Sequence, residues 1–156
     1  MIVAIGTDHG GFALKERVLR AVAELGHEPL DCGAMTLHPD DDYPDFAERV
    51  AHAIAGGRAE RGVLICGSGV GICVAANKFP GVRAAICHDT YAARQGVEDD
   101  AMNVLCLGGR VIGPELAADL VRSFLSAEYK AFDRYERRLR KLRQFEQGPS
   151  DSDRDA

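Results

Sequence analysis

The stretch Gly62-Val63-Leu64-Ile65-Cys66-Gly67-Ser68-Gly69-Val70-Gly71 decides the fold of this chain. It opens with the apolar run 62–65, which is typical of a buried parallel strand, and alternate glycines follow Cys66. Apolar residues then recur at helical spacing, at Val70, Cys73 and Val74. The stretch therefore predicts a strand, a glycine loop and a helix whose N-terminus faces that loop.

The glycine loop is suited to an anionic ligand and to thiol chemistry. Gly67, Gly69 and Gly71 let backbone N–H groups approach an anion, and a helix N-terminus favours negative charge. A cysteine at the start of a helix is expected to ionise readily. Cys66 is thus a candidate base or nucleophile, with Ser68 as its hydrogen-bond partner. The alternative is a tight turn with a buried cysteine.

Strand and helix patterns alternate along the chain. The predicted strands are 2–6, 28–32, 62–66, 82–87 and 103–107, and apolar residues at helical spacing lie between them. This alternation predicts an α/β fold of three layers, a mostly parallel sheet with helices on both faces. A charged helical stretch, 130–147, is expected to pack at the domain edge or across a partner. We interpret 1–147 as one domain and 148–156 as a disordered acidic tail.

Composition and motifs exclude several classes of protein. The net charge of −5 predicts no general attraction to nucleic acid or to anionic membranes. No run approaches the roughly 18 apolar residues of a membrane span, and no signal peptide is evident, so a cytoplasmic protein is expected. Dinucleotide, P-loop and esterase motifs are absent. The five cysteines form no C-x-x-C pair and the histidines lack metal-ligand spacing, which predicts chemistry without a metal.

Ligands of open α/β sheets bind beyond the carboxyl ends of the strands, so the loops there are candidate sites. Asp8 and His9 follow the first strand, as ligands or as a structural cap. Arg110 follows two glycines after the last strand and is a candidate ligand of phosphate or carboxylate. The acidic run 98–100 lies in a predicted loop over 96–103. The usual explanation for such a run is a loop exposed to solvent.

Five motifs together resemble the type B ribose-5-phosphate isomerase family, whose wider group includes galactose-6-phosphate and allose-6-phosphate isomerases. The motifs are Asp8-His9-Gly10-Gly11, Asp42-Tyr43-Pro44-Asp45, Ile65-Cys66-Gly67-Ser68-Gly69-Val70-Gly71, Ala75-Ala76-Asn77-Lys78 and Asn103-Val104-Leu105-Cys106-Leu107-Gly108-Gly109-Arg110. The resemblance implies a Rossmann-like fold with a five-stranded parallel sheet. It also implies a homodimer or a dimer of dimers, with active sites between subunits and the C-terminal helix crossing to the partner subunit.

The activity implied by the resemblance is aldose–ketose isomerisation of a small phosphosugar without a cofactor. Ribose 5-phosphate is the first candidate substrate, with a tetrose or hexose phosphate as the alternative. The reaction needs a base for the proton α to the carbonyl and stabilisation of the enediolate oxygen. Cys66 would be that base, because Ile72 stands where some family members carry glutamate. The enediolate would be held by Ser68 and by backbone N–H groups of Gly67, Gly69, Val70 and Gly71.

The resemblance also implies a set of substrate-binding residues outside the glycine loop: Asp8, His9, Tyr43, Asp100, Arg110, Arg134 and Arg138. Arg134 and Arg138 are spaced i, i+4, so both guanidinium groups lie on one helix face and can bind one phosphate. Arg137 is the alternative to Arg138 if the register shifts. Without the resemblance, the arginines of this helix would be interpreted as an ordinary solvent-exposed face.

Asp99 departs from the family pattern. Members that act on furanose sugars usually carry a ring-opening histidine at this place, and Asp100 replaces the usual asparagine. A carboxylate of ordinary pKa is a poor proton donor at neutral pH. Asp99 could still act as the catalytic group for ring opening, His9 could replace it, or the substrate could be an open-chain tetrose phosphate. The acidic pair could instead reject one substrate by repulsion.

Two other classes of function remain open. A phosphosugar-binding module without catalysis would keep the anion ligands, such as His9 and Arg110, and would not need the thiol. A thiol-redox protein would use Cys66 with Cys73 as resolving cysteine, although about two helical turns separate these residues and they need not face each other.

Overall fold

The computed structural model describes residues 1–148, and its five strands form one sheet with the order β2-β1-β3-β5-β4. Every neighbouring pair is parallel. The strands are β1 (Ile2–Thr7), β2 (Glu28–Asp31), β3 (Arg61–Cys66), β4 (Ala84–Ile86) and β5 (Val104–Gly108). This confirms the predicted five-stranded parallel sheet, although β4 is only half as long as the predicted strand 82–87.

Six helices accompany the sheet: α1 (Phe12–Glu24), α2 (Tyr43–Ala55), α3 (Val70–Ala76), α4 (Thr90–Asp100), α5 (Pro114–Leu125) and α6 (Asp133–Glu146). α1, α4 and α5 cover one face of the sheet, where Val18 and Phe124 are fully buried. α2 and α3 cover the other face through Val50 and Ile72. The predicted three-layer architecture is therefore confirmed. Among residues 1–148, no helix is long and apolar enough to cross a membrane.

β3 places Cys66 in the α2 and α3 layer. Side chains alternate along a strand, so Val63 and Ile65 point towards the α1 and α5 side, whereas Leu64 and Cys66 point to the opposite side. Both sides are covered, and every residue of β3 after Arg61 is buried. Burial on both faces explains why this strand appears in the sequence as a continuous apolar run.

The C-terminal helix α6 lies at the edge of the domain. It buries Tyr135 and Leu139 and packs against α4 of the same chain. The carboxylate of Glu146 accepts a 3.0 Å hydrogen bond from the backbone N–H of Gly81. The expectation that this helix reaches a second subunit stays a prediction. The predicted tail 148–156 lies outside the described residues except for Gly148.

The predicted loop over 96–103 is wrong, because the acidic run 98–100 forms the last turn of α4. Within this helix, Gln95 donates a 2.9 Å hydrogen bond to the Asp99 carboxylate one turn later, a contact that adds a little to helix stability. It ends at Asp100, and the next residue, Ala101, has a left-handed φ of 52°. α4 precedes β5, so these carboxylates lie towards the amino ends of the strands and not at the carboxyl edge.

Candidate active site

A cavity of about 420 Å³ opens at the carboxyl edge of the sheet. β1 leads through α1 to β2 on one side, whereas β3 leads through α3 to strands on the other side, so the strand order reverses between β1 and β3. Open α/β sheets bind ligands at such a position. The cavity brings together six predicted side chains from four segments of the chain: Asp8, His9, Tyr43, Cys66, Ser68 and Arg110.

Cys66 ends β3 with its residue surface only 5% exposed. Its Sγ accepts a 3.1 Å hydrogen bond from the backbone N–H of Gly69. Gly69 has a φ of 82°, and a Cβ there would lie 3.0 Å from the carbonyl carbon of Leu107. Glycine is thus required at this position, both for the backbone conformation and for the close approach of β5.

Ser68 lies exposed at the rim of the cavity. Its Oγ accepts a 3.2 Å hydrogen bond from the backbone N–H of Val70. This N–H group, which the resemblance assigns to the enediolate, is therefore engaged by the serine. The hydroxyl proton of Ser68 remains able to donate to a bound oxygen.

Tyr43 closes the side of the cavity formed by the start of α2. Its ring packs on Gly71, where a Cβ would lie only 2.8 Å from the Cζ atom of the tyrosine. Gly71 lines the same cavity. The glycine is therefore needed for packing against the aromatic ring, in addition to the approach of an anion.

Arg110 is held over the glycine loop by backbone contacts between two strand ends. Its N–H donates a 3.0 Å hydrogen bond to the carbonyl of Gly67, and the N–H of Gly109 donates to the carbonyl of Cys66 at 2.8 Å. A Cβ at Gly67 would lie 3.7 Å from the guanidinium carbon. His88, which sequence reasoning missed, accepts at Nε2 from the N–H of Gly108 at 3.1 Å and thereby supports this turn.

His9 is bound to a carboxylate that sequence reasoning also missed. Its Nδ1 lies 2.6 Å from Oδ1 of Asp41, and its backbone N–H donates to the same oxygen at 3.0 Å. The hydrogen bond to Asp41, supported by the charge of Asp8, raises the pKa of His9. Asp41 lies in an acidic run directly before Tyr43, and that run was the available signal.

The same three side chains, Asp8, His9 and Asp41, offer potential metal-ligand atoms within 4.8 Å of one another. The 2.6 Å between Nδ1 and Oδ1 fits a charge-assisted hydrogen bond with a proton between the atoms. Two ligands of one tetrahedral ion lie about 3 Å apart or more. Asp8 also accepts from the N–H of Gly11 at 3.0 Å. The geometry is therefore that of an ion pair and a turn.

Six predicted site residues do not line this cavity: Gly69 and Val70, which belong to the turn beside it, and Asp99, Asp100, Arg134 and Arg138, which lie elsewhere. The pKa of Asp99 is lowered by the hydrogen bond from Gln95, then by Tyr135 and by the charge of Arg134. The Arg134 guanidinium stacks on the Tyr135 ring at 4.5 Å from the ring centroid and donates to its hydroxyl. Arg138 is exposed on α6, as is the alternative Arg137. Asp100 lines a separate groove beside α6.

The cysteines do not form the pair that a thiol-redox function would use. All five are free thiols. Cys73 interacts with Cys106, which lowers the pKa of Cys73 and raises that of Cys106. Asn77 donates a weak 3.6 Å hydrogen bond to the Cys73 sulfur. The side chain of Cys73 thus has its own partners, separate from the contact between Cys66 and Gly69.

Known proteins are similar to this chain over most of its length. The family described as Ribose/Galactose Isomerase matches residues 3–142. Ribose-5-phosphate isomerase B of Escherichia coli is 42% identical over 145 residues, which are 93% of this chain and 96% of that protein. D-erythrulose-4-phosphate isomerase of Pectobacterium atrosepticum is 41% identical over 128 residues, 82% of this chain and 84% of that protein. The structure of type B ribose 5-phosphate isomerase from Trypanosoma cruzi has a TM-score of 0.92 and 43% identity, over 96% of this chain and 100% of that one.

Proposed function

Because this chain belongs to the ribose/galactose isomerase family, we propose that it interconverts an aldose phosphate and a ketose phosphate by proton transfer at Cys66. The observation that carries this mechanism is the hydrogen bond from Gly69 to the Cys66 sulfur, in a cavity that also presents Arg110 and His9. The cationic groups supply the affinity for phosphate. The thiolate supplies a base at the reacting carbons.

The proton transfer between the two carbons is assigned to groups of the cavity. The thiolate of Cys66 takes the proton from the carbon next to the carbonyl, and the C–H electron pair becomes the double bond of the enediolate. The carbonyl oxygen takes up the negative charge, which the Ser68 hydroxyl stabilises by donating a hydrogen bond. The hydroxyl proton on the adjacent carbon passes to the former carbonyl oxygen, and the Cys66 thiol returns its proton to the former carbonyl carbon. The carbonyl is then on the adjacent carbon, and the thiolate is regenerated.

A second copy of the chain completes the site in this proposal. Arg134 and Arg138 are exposed on α6, away from the Cys66 cavity of their own chain. Val70 and Val74 on α3 are 53% and 57% exposed beside that cavity, although they are apolar. A homodimer, or a dimer of dimers, would cover this apolar face and bring the two arginines to the phosphate.

Two substrates fit the cavity chemistry. Ribose 5-phosphate, interconverted with ribulose 5-phosphate, is the first candidate, because the Escherichia coli relative bears that name. Asp99 lies beside Arg134 and would reach the substrate with it from the second copy, and its environment favours a second candidate, an open-chain tetrose phosphate. The pKa of Asp99 is lowered, so this carboxylate is ionised at neutral pH and cannot donate the proton that opens a furanose ring. The relative named D-erythrulose-4-phosphate isomerase is consistent with this second substrate.

The test is turnover of the purified protein, without added metal, on aldose and ketose phosphates of four, five and six carbons. The strongest activity on ribose and ribulose 5-phosphates would support the first candidate and imply that another group opens the ring. Preference for a tetrose phosphate would support the second. Binding of these phosphosugars without turnover of any of them would overturn the catalytic proposal in favour of a phosphosugar-binding module.

A further inference from the structure

Asp41 contacts a residue of the cavity without lining the cavity itself. It lies between β2 and α2, 32 positions from His9 in the sequence. One carboxylate oxygen, Oδ1, accepts from the His9 backbone N–H at 3.0 Å and contacts Nδ1 of the ring at 2.6 Å. Both the main chain and the side chain of His9 are therefore held by the same carboxylate.

This double contact decides which ring nitrogen of His9 is available to a ligand. Nδ1 faces Asp41, where an acceptor-only carboxylate requires a proton on that nitrogen. Nε2 is the remaining polar atom of the ring, and His9 lines the cavity. We propose that Asp41 is a positioning residue, which orients the His9 ring so that Nε2–H donates to the phosphate of the substrate. The phosphate itself rests on the function proposed above.

The other oxygen of Asp41 adds no stabilising contact within the described residues. Oδ2 is buried and has no hydrogen-bond partner among residues 1–148. The side chain of Asp41 is only 14% exposed. Burial of a carboxylate oxygen without a partner opposes folding.

The charges around His9 favour the imidazolium form, which is the form that attracts a phosphate. Asp41 and Asp8 raise the pKa of His9, whereas the neighbouring Arg110 lowers it, and the net direction is upward. Cys66 and Tyr43 are the other titratable groups of the same cavity. The imidazolium therefore persists to higher pH than in a free histidine, and it is lost as pH rises through the raised pKa. Phosphate affinity that depends on His9 should follow the same direction.

The first measurement is the protonation of His9 in the intact wild-type protein, by ¹⁵N chemical shifts of its ring. His9→Gln identifies the resonances. We expect Nδ1 to stay protonated above the pKa of the ring and Nε2 to respond to added inorganic phosphate. A ring protonated only at Nε2 above its pKa would overturn the proposal. This readout requires neither turnover nor a stable Asp41 variant.

The second measurement compares Asp41→Asn with Asp40→Asn, a matched change of charge at an exposed neighbour. At about pH 7.5, Asp41→Asn should lower the pKa of His9 and weaken binding of inorganic phosphate about fivefold to tenfold, whereas Asp40→Asn should change neither. In a His9→Gln background, Asp41→Asn should add little, because Asp41 acts through His9. Unchanged affinity in Asp41→Asn, or an equal loss in the His9→Gln background, would contradict the proposal.

The two proposals fail in different ways. If wild-type protein binds neither inorganic phosphate nor ribose 5-phosphate, the proposed phosphosugar site is wrong. The proposed role of Asp41 in phosphate binding is then wrong as well. The ¹⁵N chemical shifts of the His9 ring still show whether Asp41 orients that ring. If phosphate binds and turnover is absent, the catalytic proposal fails, and the ring shifts and the Asp41→Asn comparison still decide the role of Asp41.

Discussion

The backbone N–H of Gly69 lies 3.1 Å from the Sγ of Cys66 and donates a hydrogen bond to it. The donor is available because Gly69 has a φ of 82°, in the left-handed region that glycine adopts without strain. The closed turn holds the sulfur against the start of α3. The environment of the proposed base thus depends on the backbone conformation of a residue three positions away.

Replacement of the thiol should separate catalysis from binding. We expect Cys66→Ala to lower kcat by about 10²- to 10⁴-fold, because the proposed base is lost. Phosphosugar affinity should change little, since the proposed phosphate ligands remain. Steady-state kinetics and calorimetric titration measure the two effects. Cys32→Ala is the control, because Cys32 lies in a separate cavity beside Arg49 and Arg58. Unreduced turnover in a folded Cys66→Ala protein would refute the proposed base.

Gly69→Ala should damage both stability and activity. The left-handed φ disfavours any side chain, and the new Cβ would lie 3.0 Å from the carbonyl carbon of Leu107. We expect the free energy of unfolding to fall by about 1–3 kcal/mol, measured by urea denaturation. Gly113→Ala is the control, because Gly113 has a φ of −86° and nothing lies within 4 Å of its Cβ position. Equal stability of the two variants would contradict the assigned role of Gly69.

Removal of the Arg110 guanidinium should weaken substrate binding more than it slows the reaction. We expect Arg110→Ala to raise KM about tenfold or more, because a charge-assisted hydrogen bond to phosphate is lost. The effect on kcat should be smaller. Arg122→Ala serves as the control, since Arg122 pairs with Asp119 at 2.5 Å on α5. A fall in kcat at constant KM would instead assign Arg110 to the reacting atoms.

The identity of residue 99 should affect substrates that must open a ring. If wild-type protein turns over ribose 5-phosphate slowly because it lacks the ring-opening histidine, Asp99→His should raise turnover of that substrate about tenfold or more. Turnover of an open-chain tetrose phosphate should stay constant. Asp99→Asn removes the charge without supplying a proton donor and should show no gain. Absence of a gain in a folded Asp99→His protein would count against the ring-opening explanation.

The exposed apolar face of α3 should be needed for assembly. Val74 is 57% exposed, and a carboxylate there would be costly to bury against a second subunit. We expect Val74→Asp to shift the protein towards monomer in sedimentation experiments and to lower turnover in parallel. Leu116→Asp, on the 38% exposed surface of α5, should leave both unchanged. An unaltered assembly in Val74→Asp would exclude this face from the interface.

The position of the acidic run 98–100 shows why a loop was predicted where the structure has a helix. Consecutive carboxylates are typical of solvated loops, and nothing local distinguishes a loop from the end of a helix. In the structure, the contact between Gln95 and Asp99 belongs to α4, and the pKa of Asp99 is also lowered by Tyr135 on α6. The contribution of Tyr135 depends on how α6 packs against α4. The order of residues within the acidic run does not reveal this packing.

By itself, the sequence determined the α/β alternation and the Cys66 loop. Strands that are buried on both faces appear in the sequence as continuous apolar runs, and the left-handed turn at position 69 requires glycine. Both features depend only on residues that are close together in the sequence. Only the tertiary structure decided that Asp41 binds His9 and that Arg134 lies apart from the cavity. The partner of a charged side chain is chosen among residues distant in the chain, because folding decides which of them share a buried space.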